Sequence, residues 1–308
     1  MTSALFRPTS ECGSTCLAPP ADGTHQLRRV VRATEAAAVL AIASVAAVAI
    51  AALPRAVRPP VARRLLRRTA RTLLRVLAIE TMSTGAALPT ARALVVANHI
   101  SWLDVIALVA SANVRIVAKS EVASWPIIGR LARLSGVIFI DRERPRTLPA
   151  TIAEIRDALA AGDVVAAFAE GTTSCGDHTV PYRPAVFQAA IDAGARVVPV
   201  TLRYRLGDGT PTPQPAFIGD ESLTASLGRV MRLPSARLDM RVGASLHPEA
   251  GASRRTLARI AECATPVAVP TIEVPNRGAA LAIVPPTTGD ATTAPFPHRE
   301  TVDLPLAA

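Results

Sequence analysis

An apolar, β-branched run, Ala93-Leu94-Val95-Val96-Ala97, ends in Asn98-His99, and an aspartate, Asp104, stands five positions after the histidine. Imidazole is the side chain that exchanges a proton near neutral pH. A carboxylate held against one ring nitrogen fixes the tautomer and leaves the other nitrogen to act as a general base. Trp102 to Val109 reads as an apolar helix with Asp104 in its first turn. Residues five apart do not share a helix face, so His99 is expected before the helix, looking back at it. The competing reading is a loop histidine that caps the chain beside a helix-start aspartate.

A second segment bears on that choice. Val164-Val165-Ala166-Ala167-Phe168 is another strand-like run, and it leads into Ala169-Glu170-Gly171-Thr172-Thr173-Ser174. An acid, a glycine and three hydroxyls at a strand end make a polar pocket wall whose backbone N–H groups can meet an anion. The elements needed to hold both segments alternate along the chain. Strands are expected near 93–97, 115–118, 136–140, 164–168, 196–201 and 238–242, and helices near 102–111, 124–134, 147–161, 184–194 and 221–231. That alternation predicts an α/β fold, a mostly parallel sheet flanked by helices. In such a fold the two strand ends converge on one sheet edge, where ligands bind.

Together, Asn98-His99-x-x-x-x-Asp104 and Phe168-Ala-Glu-Gly-Thr-Thr-Ser174 resemble the signature of the glycerolipid acyltransferase family, N-H-x-x-x-x-D followed by F-P-E-G-T-[RT]-S. Gly136–Arg142 resembles the family's arginine-bearing block and Val198-Pro199-Val200 its V-P-V block; the four occur in family order within about residues 80–245. The resemblance implies an acyltransferase of phospholipid synthesis. His99 would take the proton from the free hydroxyl of 1-acyl-sn-glycerol-3-phosphate as it attacks an acyl thioester, giving phosphatidic acid, with Asp104 orienting the imidazole. It also implies the substrate-binding residues Asn98, Lys119, Arg142, Glu170, Gly171, Thr172 and Arg183. Of these, Arg142 suits the phosphate, because guanidinium binds it through paired hydrogen bonds. Lys119 would lie near the phosphate and the donor, and Glu170 and Thr172 would grip the glycerol hydroxyls. The implied partners are lysophospholipid and acyl-thioester substrates and the bilayer; the donor is acyl-CoA or acyl carrier protein, and no cofactor or metal is expected. Two departures stand out. Ala169 replaces the usual proline, and Thr173 stands where many members carry a phosphate-contacting arginine. Either Arg183 takes over or the acceptor lacks a phosphate. The E-G-T-T-S form also resembles that of lyso-ornithine lipid acyltransferases, so that lipid or another lysolipid is the alternative acceptor.

The amino-terminal third suits work on lipid. The chain of 308 residues carries a net charge of +10, nearly all of its basic residues being arginine; Lys119 is the only lysine. Ala36–Leu53 is uncharged, apolar and just long enough for a membrane helix. It starts too deep for a signal peptide and follows Arg28, Arg29, Arg32 and Glu35. We expect an anchor there, spanning or lying in one leaflet, and a basic amphipathic membrane-surface helix over residues 54–79. The resulting domain order is a disordered leader (1–35), the anchor (36–53), the surface helix (54–79), a catalytic domain (80–250) and a disordered Pro/Thr/Ala-rich tail (266–308). The arginine excess after the anchor places the catalytic domain on the cytoplasmic face of the cell membrane.

Rival classes fit less well. Nucleic-acid binding is disfavoured because aromatics make up 3% of residues and no nucleic-acid fold motif occurs. A non-catalytic membrane adaptor would leave the His99–Asp104 pair without a use. A lipase with Ser101 as nucleophile would need a G-x-S-x-G turn, which does not surround it. Four cysteines are too few for a disulfide framework at this length, and the grouping Cys175, Asp177, His178 fits no zinc spacing.

Overall fold

The computed structural model describes residues 12–17, 26–125, 128–141, 144–178, 180–219 and 221–265. The anticipated tail, most of the leader and Arg142 lie outside these described residues. Among the described residues, seven strands form one sheet: β1 (Ile79–Gly85), β2 (Ala93–Ala97), β3 (Val114–Lys119), β4 (Ile138–Ile140), β5 (Val164–Phe168), β6 (Arg196–Leu206) and β7 (Ala236–Val242). Their order is β1-β7-β6-β2-β5-β3-β4. Every pairing is parallel except β6 with β7.

β2 and β5 lie side by side in the interior of the sheet, and every residue of β2 is buried. This explains their continuous apolar composition, because a parallel strand covered on both faces has no polar side to show. Helices α2 (Arg58–Val76), α3 (Trp102–Ser111) and α7 (Leu223–Arg232) contribute Leu74, Leu103, Leu108 and Val230 to one core. Helices α5 (Leu148–Ala160), α6 (Ala185–Ala193) and α8 (Arg254–Cys263) contribute Ile155, Phe187 and Leu257 to another. Helix α4 (Ile128–Ser135) precedes β4.

Several expectations need correction. β1 was not anticipated: only Ile79 of Ile79–Gly85 is buried, so this edge strand offers no apolar run to read. The domain does not end at 250. α8 buries Leu257, Ala258 and Ala261, and Thr265 Oγ1 lies 3.0 Å from the Tyr182 hydroxyl. Helix α1 (Gln26–Ala51) begins well before the apolar run, inside the supposed disordered leader. Its buried Arg32 explains why. That guanidinium donates to the carbonyls of Leu233 at 2.6 Å and Pro234 at 2.8 Å, just past the end of α7. Cys12 is also buried, so part of the leader belongs to the folded body.

Helix α2 opens with Pro59 and Pro60, which fit a first turn whose N–H groups lack helical partners. Its arginines divide between two tasks. Arg67 and Arg71 donate to the carbonyls of Ala110 and Ser111 at the end of α3, and Arg63 pairs with Asp163 at 2.8 Å. Arg64, Arg68 and Arg75 form the exposed stripe.

Candidate active site

Parallel register builds the site. Ala97 of β2 pairs with Phe168 of β5, so Asn98-His99 and Ala169-Glu170 leave adjacent strands at the same edge. The His99 ring stacks on the Phe168 ring, with centroids 3.9 Å apart and planes 16° from parallel. Lys119, exposed, ends β3, the neighbour of β5 on its other side, at this same edge.

His99 Nδ1 lies 2.9 Å from Asp104 Oδ2. The local sequence makes that approach. Ser101 caps α3 with its hydroxyl accepting from the Leu103 N–H, while Asp104, three residues on, reaches back over the turn. Asp104 Oδ2 accepts the N–H groups of Ile100 at 2.6 Å and Ser101 at 2.8 Å. Its Oδ1 accepts the Tyr204 hydroxyl at 2.7 Å. The aspartate is fully buried, at 0% exposure, and burying a carboxylate is costly unless donors surround it. Here three donors besides the imidazole do so. With those donors in place the His99 contact is read as Nδ1–H donating to the carboxylate, which leaves Nε2 as an acceptor. The His99 side chain is 16% exposed and is the member of the pair that a substrate can reach.

Tyr204 belongs to this network, yet no sequence motif marks it. Its signal was faint: a tyrosine on the inward face of β6, two residues from buried Leu202, whose hydroxyl must find a partner. Burial, then the adjacent Asp104, pushes its phenol well above the usual range, so it remains an O–H donor. Phe168 was legible as a strand residue but not as the surface beneath the imidazole.

Two expected substrate contacts turn inward. Asn98 is 1% exposed; its Nδ2 donates to the Leu202 carbonyl at 3.1 Å and its Oδ1 accepts the Leu202 N–H at 2.7 Å. Its amide is spent fastening the end of β2 to β6, so it positions the histidine and does not meet substrate. Glu170, also 1% exposed, accepts the His99 N–H on Oε2 at 2.9 Å. Burial raises its pKa to about 8 from the ordinary 4.5, aided by the Asp104 charge, while the N–H groups of His99 and Val180 oppose the shift. It is a strut under the histidine backbone, not a free ligand for glycerol hydroxyls.

The rest of the E-G-T-T-S loop folds around this strut. Gly171 adopts φ +74°, a left-handed conformation natural to glycine. The Ser174 N–H donates to the His99 carbonyl at 2.8 Å, and the Arg183 N–H to the Ala169 carbonyl at 2.7 Å. Thr172 and Thr173 are half-buried, and Arg183 is exposed with its backbone tied to the motif. Arg142 lies outside the described residues. Cys175 is buried while Asp177 and His178 are exposed, and among the described residues these three form no metal-ligand group.

Comparison with known proteins agrees with this architecture. The acyltransferase family model matches residues 79–203, which span β1 through most of β6 and contain every residue of the dyad network except Tyr204. A lyso-ornithine lipid O-acyltransferase of Pseudomonas aeruginosa is 35% identical over 219 residues, covering 70% of this chain and 83% of that protein. The chain belongs to the acyltransferase family. Among its relatives is also a 1-acyl-sn-glycerol-3-phosphate acyltransferase of Neisseria gonorrhoeae, 38% identical over 140 residues, or 46% of this chain; the chain spans about half of that relative's length, 54%. The crystal structure of the 1-acyl-sn-glycerophosphate acyltransferase PlsC of Thermotoga maritima has the same fold, with a TM-score of 0.59 at 16% identity over 77% of this chain and 90% of that one.

Proposed function

We propose that this chain transfers a fatty acyl group from a thioester donor, acyl-CoA or acyl carrier protein, to the free hydroxyl of 1-acyl-sn-glycerol-3-phosphate. The observation that carries the reading is the His99–Asp104 pair at 2.9 Å, with the carboxylate buried among donors and the imidazole at the sheet edge. His99 Nε2 takes the hydroxyl proton as the oxygen attacks the thioester carbonyl. The C–S bond then breaks, and the imidazolium returns the proton to the departing thiolate. Asp104 holds the ring and offsets the charge it acquires. No acyl-enzyme forms, because the alcohol itself is the nucleophile. Proton transfer of this kind supplies about two to four orders of magnitude in rate; holding both substrates in line supplies much of the rest. Lys119 and Arg183 are the cations we assign to the phosphate among the described residues, with Arg142 as a third candidate.

The second acceptor we consider is a lyso-ornithine lipid. Thr173 in place of a phosphate-contacting arginine supports it, as does the 83% coverage of the Pseudomonas relative. Membranes containing the full chain, labelled oleoyl-CoA and either lysolipid separate the two, with His99→Ala membranes as background. Phosphatidic acid above background supports the first reading, and product from the ornithine lipid alone replaces it with the second. Equal turnover by wild type and His99→Ala would falsify both.

We further propose that the protein sits on the cytoplasmic leaflet with α1 lying in the membrane plane. Ala43, Ala47 and Ile50 of α1 are buried against the protein, whereas Ile42, Val45 and Val48 are 53–72% exposed. A helix fastened to the domain along one side, and by Arg32 near its start, suits one leaflet better than a free crossing. The Arg64, Arg68 and Arg75 stripe suits an anionic surface.

A further inference from the structure

Where the amino-terminal segment meets the loop that follows β5, three thiols come together. The sulfur atoms of Cys12, Cys16 and Cys175 all lie within 4.8 Å of one another, and all three cysteines are free. Cys12 is 6% exposed and Cys175 is 4% exposed, while Cys16 is half-buried. None of them takes part in the acyl-transfer geometry.

The surrounding backbone is shaped to this cluster. Cys12 and Cys16 flank a tight turn, with a 3-10 helix at Ser14–Cys16 and the Cys16 N–H donating to the Gly13 carbonyl at 3.0 Å. The Cys175 N–H donates to Cys12 Sγ at 3.3 Å, a bond that favours sulfur carrying negative charge. Gly176 adopts φ +91°, and a Cβ there would meet Ile100 Cδ1 at 3.0 Å, so the chain turns away from Cys175 in a conformation and a space that suit glycine. Ser174 Oγ, one residue before Cys175, is buried and has no hydrogen-bond partner among the described residues.

We propose that Cys12, Cys16 and Cys175 bind a zinc ion as three thiolate ligands. A tetrahedral zinc with Zn–S bonds of about 2.3 Å holds its sulfurs about 3.8 Å apart, inside the span observed here. The C-x-x-x-C spacing of Cys12 and Cys16 lies within the range zinc sites use. Thiolate selects borderline and soft cations over magnesium or calcium. An iron–sulfur cubane spreads its cysteines over separate irons and needs a wider triangle. A disulfide would use two of the three sulfurs and strand the third, and on a cytoplasmic face it would be reduced. Three protein ligands leave one position for solvent, and Cys16 is the least buried of the three.

The site sits where an ion affects the dyad without touching it. Ser174, next to Cys175, donates its N–H to the His99 carbonyl, and Gly176 abuts Ile100, the residue after His99. Zinc would therefore pin the leader to the loop that holds His99 in place.

The test uses the full chain, purified in detergent under reducing conditions with zinc supplied, and reads metal directly. Mass spectrometry of the metal content should find about one zinc per chain. Cobalt(II) exchange of the wild-type protein should give the intense sulfur-to-cobalt band and visible d–d bands of a tetrahedral thiolate site. Cys12→Ser and Cys16→Ser should each lower metal content at least tenfold, while Cys263→Ser, at an exposed cysteine on α8, should leave it unchanged. Chelation should lower the wild-type Tm, and zinc should restore it. The wild-type stoichiometry and cobalt spectrum do not depend on whether a variant folds. Wild-type protein that takes up neither zinc nor cobalt, stoichiometric copper or iron in place of zinc, or, in a parallel preparation made without reductant, a native disulfide between any two of the three cysteines would each overturn the proposal.

Discussion

His99 and Asp104 form one functional pair but carry different structural burdens. His99→Ala removes the proposed base and one donor to Asp104 but leaves the cap of α3 intact, so acyl transfer should fall about 10²- to 10⁴-fold, with a Tm loss smaller than that of Asp104→Ala. Asp104 also accepts two backbone N–H groups at that helix start. Asp104→Ala should therefore abolish activity and also destabilise the protein, by about 0.5–2 kcal/mol for the cap alone. Paired assays and thermal melts check this, and equal melts for the two variants would count against it. Tyr204→Phe removes one donor from a buried carboxylate. Activity should drop while membrane association persists, with a stability loss of about 1–3 kcal/mol by denaturant titration. Glu170 makes a pH prediction. Its folded pKa of about 8 exceeds the ordinary 4.5, so between these values the folded state holds a proton that the unfolded state has released. Stability should fall as pH rises through that window and level off above it. Glu170→Gln keeps an acceptor for the His99 N–H and should flatten this part of the profile. Parallel wild-type and variant curves of Tm against pH would refute the assignment. The sequence shows Asp104 as an acid five residues after His99 and Glu170 as an acid at the end of a second strand. That one holds the ring while the other holds the backbone is not visible there, because burial and partners decide which.

Among the elements, α3 is held at both ends. Its start is capped by Ser101 and Asp104, and its last carbonyls are met by Arg67 and Arg71 of α2. Cations at a helix C-terminus stabilise it, each by about 0.3–1 kcal/mol at exposed sites. Arg67→Ala with Arg71→Ala should lower stability by about 0.6–2 kcal/mol by that count, yet spare most of the turnover, because the dyad lies at the opposite end of α3. A melt and an acyl-transfer assay on the same preparation decide it; loss of activity without loss of stability would contradict the role given to these arginines. The strands near the site were readable because parallel, doubly covered strands are continuously apolar. β1 and the extension of β6 were not, since Ile79–Gly85 and Arg203–Leu206 are mixed in polarity and join the sheet through backbone pairing with β7. Side-chain pattern carries no record of such pairing. α8 was missed for a related reason: its arginines mask the three buried residues that dock it.

For the whole molecule, the exposed apolar face of α1 predicts a separable anchor function. Val45, 72% exposed, contacts solvent or lipid and not the core, so Val45→Asp should shift protein from the membrane pellet to the soluble fraction while leaving the melt of the folded body unchanged. Retention in the pellet after this change would argue against in-plane anchoring through that face. Sequence alone determined the α/β class, the strand ends that matter, the His99–Asp104 candidate pair and the apolar and basic amino-terminal segments. Each of these is a local pattern: an apolar run, a periodicity or a spacing within one turn. Tertiary structure alone decided what crosses the chain. It brought Tyr204 to Asp104, set Phe168 under His99, turned Asn98 and Glu170 inward, clamped Arg32 to the end of α7 and gathered Cys12 and Cys16 at Cys175. Those contacts depend on strand order and register, which set distances between residues remote in sequence and leave no periodic trace in it.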